Sequence, residues 1–157
     1  VPDKVYLSTP SDTSSSALGV TGEIREHIHA THGKQYYRVV YNTSGAEIAA
    51  NLVVVYASGS SIICALAGAA APAATVAGVT QNAIPTGSYG WVCCGGDCTV
   101  TANADTAANS LLSTVSTAGK VDDTAVTTIE HAIIGVSPNI IDISVLATGT
   151  MRVRNLM

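Results

Sequence analysis

Three histidines fall within six residues, His27, His29 and His32, and imidazole is the commonest protein ligand for transition metals. On an extended strand successive side chains point to opposite faces, so His27 and His29 would share a face with Glu23 and Arg25. Two imidazoles beside a carboxylate begin a donor set for zinc or nickel. No third ligand follows at a defined spacing, and His131 is remote. The plain reading is a polar strand face that carries two histidines, so no metal and no other cofactor is assigned.

Cysteine is the second candidate. Cys93 and Cys94 are adjacent, Cys98 follows four residues later, and Cys64 stands apart. Neighbours on a strand face opposite ways, which keeps Cys93 and Cys94 from sharing one metal easily, and there is no CxxC pair. If Gly95-Gly96-Asp97 is a turn, a Cys94–Cys98 or Cys93–Cys98 disulfide could span it. The alternative is small buried thiols that fill core positions. Among hydroxyls, Gly59-Ser60-Ser61 and Thr86-Gly87-Ser88 have turn chemistry and no strand-to-helix elbow. Neither a phosphate loop nor a dinucleotide fingerprint occurs. The chain is expected not to be an enzyme.

Strands must position these residues. From Val20 to Thr31 the alternation has period two: Val20, Gly22, Ile24, Glu26, Ile28 and Ala30 on one face, six polar residues on the other. The pattern predicts a half-buried strand with its apolar face inward and Glu26 as the lapse. His32-Gly33-Lys34 turns it into Tyr36–Tyr41. Further strands are expected at Leu52–Ala57, Ile62–Leu66, Val76–Thr80, Tyr89–Cys94, Cys98–Ala102, Ile133–Val136, Ile140–Leu146 and Met151–Arg154. Pro72 and Gly68 make residues 67–74 a loop despite the alanines. Short helical turns are expected at Ala104–Leu112 and Asp122–His131. The fold class is all-β, a small barrel or sandwich of many short antiparallel strands.

Ala46–Leu52 (AEIAANL) echoes Ala104–Leu111 (ADTAANSL) at an offset of 58. Either two similar supersecondary units share one fold, or alanine-rich segments coincide by chance. Residues 1–16 hold Pro2, Pro10 and the run Ser11–Ser16, too little apolar surface to fold alone. They are expected to form an extended N-terminal arm, with Val5, Tyr6 and Leu7 as its contact on a neighbouring subunit, and residues 17–157 to form the folded domain.

With 157 residues the chain suffices for one domain and a sizeable core. Only 11% of residues are charged, against roughly 25% in a typical soluble domain, which suggests surface hidden against partners. The net charge is −4 and the seven Lys and Arg are scattered, so no nucleic-acid partner is expected. No apolar run reaches the roughly 18 residues of a membrane helix, and none at the amino terminus has the layout of a signal peptide. Synthesis in a cytoplasm, with thiols reduced, is the default expectation.

Three blocks resemble the capsid decoration, or cement, proteins of tailed phages. They are residues 32–55 (HGKQYYRVVYNTSGAEIAANLVVV), residues 77–123 with their Gly-x-Tyr-Gly-Trp-Val strand and Thr-Ala-Gly-Lys-Val-Asp turn, and IIGVS with IIDISVL at 133–137 and 140–146. Their order spans about Ala17 to Asn155. Asn51 and Asn109 stand where that family often has glycine, and CCGGDC departs from its pattern. The resemblance implies a structural virion protein on the outer surface of the expanded capsid. Its partners would be the major capsid protein and its own copies, as a trimer or else a dimer. The alternative is a carbohydrate- or host-surface-binding module at a head or tail fibre base, lined by Tyr36, Tyr37, Tyr41, Tyr89 and Trp91.

Overall fold

Alternating runs such as Ile24–His29 and continuous apolar runs such as Val76–Thr80 yield ten strands and, among the described residues, no helix. The structure is a computed structural model that describes residues 10–56, 63–66, 76–115, 117–123 and 133–153, with backbone alone for 63–66, 133 and 134. The strands are β1 (Ile24–His29), β2 (Gly33–Asn42), β3 (Val53–Tyr56), β4 (Ile63–Leu66) and β5 (Val76–Thr80). They continue with β6 (Tyr89–Thr101), β7 (Leu111–Thr114), β8 (Val121–Asp122), β9 (Ile133–Val136) and β10 (Thr148–Val153). Several expectations lie outside the described residues: the contact residues Val5, Tyr6 and Leu7, the turn at 58–60, the tract 67–74, His131 and Arg154, and most of the helical turn at 122–131.

One sheet contains all ten strands, in the order β1-β2-β4-β3-β5-β6-β10-β9-β7-β8, with an additional β2–β6 pairing. The strand pairings are antiparallel except β2 with β4. The ten strands do not close into one barrel. Instead, the β2–β6 pairing curls β2, β4, β3, β5 and β6 into a circuit. A parallel bridge from Ala102, just after β6, to Val121 in β8 curls the second half in the same way. The long β6 belongs to both halves, and its alternation feeds two cores. Trp91, Cys93, Cys98 and Val100 enter one cluster with Val39, Leu112 and Met151, while Val92 enters another with Val40, Ile48, Val54 and Ile84. A side chain such as Ile84, 1% exposed, contributes roughly 1.5–3 kcal/mol by its burial.

The two halves repeat each other bond for bond. Asn51 N–H donates to Thr80 O at 2.7 Å, and Asn109 N–H to Ser137 O at 2.6 Å. Thr80 N–H donates to Leu52 O, and Ser137 N–H to Ser110 O. Ile48 bridges Ile84 as Thr106 bridges Ile141. Asn42 N–H donates to Ser88 O as Ala102 N–H does to Ala147 O, both at 2.9 Å. The echo of alanines thus marks a real pair of supersecondary units.

Four expectations change. First, Gly95-Gly96-Asp97 is not a turn: β6 runs straight through it. Gly96, at φ 90°, sits where an added Cβ would strike the Lys34 carbonyl, and the β2–β6 register shifts between Tyr36 and Tyr37. An irregularity of this kind changes which face later residues occupy, and Cys93 and Cys98, five apart, enter the same core. Second, Ile140–Leu146 is not a strand: only Ile141 makes a bridge. The Asp142 carboxylate accepts hydrogen bonds from Ser144 N–H (2.9 Å) and its hydroxyl (2.5 Å), and Val145 and Leu146 N–H return to Asp142 O. Local side-chain capture outcompetes the ladder there. Third, Ala104–Leu112 forms a bridge and a turn leading into β7, not a helical turn.

Fourth, β1 has the expected alternation with its faces inverted. Its burial runs exposed–intermediate throughout, so Ile24 and Ile28 face out and Arg25, His27 and His29 face in. The inward polar residues find partners. Arg25 stacks over the Trp91 ring at 5.1 Å and pairs with Glu23 at 2.8 Å, and His27 meets the Tyr37 ring edge-on at 6.0 Å. Glu26, the lapse in the pattern, lies outside and pairs with Lys34.

Candidate functional site

The tip of the β1–β2 hairpin brings the three histidines together. His29 and His32 stack with ring centroids 4.8 Å apart, and His27 lies 6.4 Å from His29. With Pro10, Gln81 and Asn82 they surround a cleft of about 410 Å³. His29 Nδ1 accepts the backbone N–H of both Thr31 and His32 at 3.1 Å, so that lone pair holds the turn. Glu23, the carboxylate expected beside them, is engaged by Arg25 and by Val20 N–H, and the Arg25 hydrogen bond holds its carboxyl below the usual range. Among the described residues no three His, Cys, Asp or Glu side chains are arranged to hold a metal ion. The Gln81 amide is spent as well, bonded to the backbone of Thr80 and Thr99.

Cys93, Cys94 and Cys98 are buried free thiols rather than a disulfide. Cys93 hydrogen-bonds Cys98 and Gly95 O, and the contact with Cys98 pulls its ionisation down, while burial pushes Cys98 up. Burial also raises Cys94 to about 11. The aromatic residues expected to line one surface site are divided: Tyr36 is half-buried under Lys34 at 5.7 Å, apart from the rest. Trp91 and Tyr37 are core residues, and Tyr41 and Tyr89 pack on each other, half-buried, at 4.6 Å.

Exposed apolar residues gather elsewhere. Val20, Ile24 and Ile28 lie on β1 and before it. A denser set, Ile140, Ile143, Val145 and Leu146, projects from the turn before β10, with Val145 81% exposed. Sequence reasoning put these last residues in a strand. The signal available was Asp142-x-Ser144, an Asx-turn pattern. The turn is held from outside too, since Asp105 accepts the Ile143 N–H at 2.8 Å. The backbone there is fixed while its apolar side chains face water.

The arm is ordered where it is described. Ser14 and Tyr89 exchange backbone hydrogen bonds of 3.1 and 2.7 Å, and the Asn82 amide donates to Pro10 O at 3.1 Å.

No protein-family model matches the sequence, and no curated protein does. Among solved structures the fold is similar to the head fiber gp8.5 N base of bacteriophage phi29, with a TM-score of 0.53 at 14% identity, covering 77% of this chain and 95% of that one. At that identity the likeness establishes a shared all-β fold.

Proposed function

We propose that the chain is a non-enzymatic structural protein of a phage virion, which binds the outer surface of the expanded head as a decoration protein. The observation that carries this reading is the fold it shares with a head-fibre base along nearly the whole of that chain. The major capsid protein is its partner, and its own copies associate, as a trimer in the first instance. The exposed, backbone-locked apolar turn at 140–146 supports a life in contact with other protein. A protein that binds the assembled shell better than loose subunits stabilises it by mass action. Many symmetry-related copies add modest interfaces together. Neither nucleic acid nor membrane is a partner in this reading.

The test is co-sedimentation with expanded empty capsids of the parent phage. Stoichiometric pelleting is expected, and a chain that stays in the supernatant would contradict the reading. The likeness to the base of a head fibre favours a second reading, the base of a fibre that meets the host surface. Saturation at a few sites per particle, rather than over the whole shell, would select it.

A further inference from the structure

The internal repeat provides a control experiment within one molecule. In the first half, Tyr89 is the non-hydrogen-bonded partner of Tyr41 in the β2–β6 ladder, so its N–H and C=O point outward. Ser14 takes both, and Asn82, two residues beyond the end of β5, grips the same segment through Pro10 O. An extended stretch of chain therefore covers this edge.

Each part has a counterpart in the second half. Thr148 pairs with Thr101 as Tyr89 pairs with Tyr41. Ala102 N–H donates to Ala147 O, so the Thr148 N–H and C=O point away from β6. Gly-Val-Thr-Gln-Asn at 78–82 matches Gly-Val-Ser-Pro-Asn at 135–139, which puts Asn139 where Asn82 stands. Asn139 is exposed, and among the described residues nothing bonds its amide or the outward groups of Thr148. Among the described residues, the edge taken by Ser14 in one half is open in the other.

The connection beside that edge also differs. Pro85-Thr86-Gly87-Ser88 in the first half becomes Asp142–Ala147, two residues longer and carrying exposed Ile143, Val145 and Leu146. The first half makes the same bridge without them, so these side chains are not required by the fold. An extended segment with apolar side chains would cover them, and backbone pairing at Thr148 would set its register.

We propose that the edge formed by Asn139, Thr148 and the apolar turn Ile143–Leu146 receives the Val1–Thr9 segment of a second copy as an added strand, with Val5, Tyr6 and Leu7 supplying the apolar contact. Nine residues lie before Pro10 and can reach about 30 Å when extended. Pro10 is held by Asn82 near Gln81, which bonds the Thr99 backbone from the side opposite β10. Strands β6 and β10 thus stand between the arm's departure point and the open edge of its own chain. This inference rests on the virion reading for its oligomer and names the surface that builds it.

The full-length variants Leu7→Asp and Val145→Asp test it by light scattering, with co-sedimentation on expanded capsids read in parallel. Each should weaken self-association by about tenfold or more, the factor equivalent to about 1.4 kcal/mol. At dilutions where the parent is also monomeric, Val145→Asp should leave the unfolding midpoint unchanged, as expected for substitution at an exposed position. Leu7→Lys combined with Val145→Asp should restore much of the association. A monomeric parent chain would overturn the inference, as would an oligomer indifferent to both substitutions. An unchanged oligomer that loses capsid binding on Val145→Asp would assign the edge to the capsid and overturn it too. Failure of the parent chain to bind capsids, with the oligomer behaving as described, would count against the virion reading alone.

Discussion

Asn51 and Asn109, 58 positions apart, hold the same left-handed backbone conformation, with φ of 64° and 60°, and each donates its N–H to a carbonyl at the end of a strand, that of Thr80 closing β5 or that of Ser137 just past β9. Asparagine tolerates this geometry because its short polar side chain offsets part of the steric cost. Replacing either by alanine should cost about 1 kcal/mol, and replacing either by glycine should be close to neutral. Urea unfolding of the four variants checks this. A large loss at Asn51 with none at Asn109 would break the equivalence of the two halves.

Gly90 and Gly149 make a second matched pair. A Cβ at Gly90 would lie 2.6 Å from Ile84 Cγ1, and one at Gly149 would strike Ile141 in the same way. Gly90→Ala and Gly149→Ala should each destabilise by about 1–3 kcal/mol through overpacking. Combining each with Ile84→Ala or Ile141→Ala should lose less than the sum of the single changes, as groups in contact do. Additive losses would mean that the isoleucine is not what occupies the glycine's space.

Gly78 and Gly96 should tolerate least. A Cβ at Gly78 would lie 2.5 Å from the Cys93 carbonyl oxygen, and one at Gly96 would strike the Lys34 carbonyl. Both obstacles are backbone, and both glycines have positive φ, 154° and 90°. Alanine at either should cost about 4 kcal/mol or more, the range of combined strain and broken pairing. Thermal unfolding by circular dichroism measures it; a midpoint within a few degrees of the parent would contradict the strand-through course of β6.

Cys94 sets an alkaline limit. Burial raises its thiol from an ordinary value of 9.0 to about 11. The folded state therefore keeps its proton where the unfolded chain releases it, and stability falls as pH rises from 9 towards 11. Below pH 9 this group contributes no slope. Cys94→Ala should make the decline between pH 9 and 11 shallower in denaturant titrations, with Cys98, which burial also raises, contributing the remainder. A decline equally steep without Cys94 would place its cause elsewhere.

Much of this was legible in the residues. Short apolar and β-branched runs bounded by turn residues located several strands within a residue or two, as Val76–Thr80 and Ile133–Val136 show, and the shared Ala-Ala-Asn marked the repeat. Which face of β1 turns inward was not legible. Alternation gives two faces but not their sense, and here Arg25 on Trp91 and His27 on Tyr37 outweigh exposing Ile24 and Ile28. The course through Gly95-Gly96 was hidden because paired glycines serve turns and bulges equally. The turn at 140–146 was misread because its isoleucines suggest a strand, while Asp142 and Ser144 decide the backbone. The histidine cleft depended on Gln81 and Asn82, about fifty residues away from His27, His29 and His32 in sequence.

The most direct test of a head-decorating role pairs two readings on one sample: solution mass by light scattering, then pelleting with expanded empty capsids. A stable oligomer that pellets in proportion to the number of capsid subunits is the expected result. A monomer left in the supernatant at every capsid concentration would contradict that role and leave the likeness to a head-fibre base as one of fold.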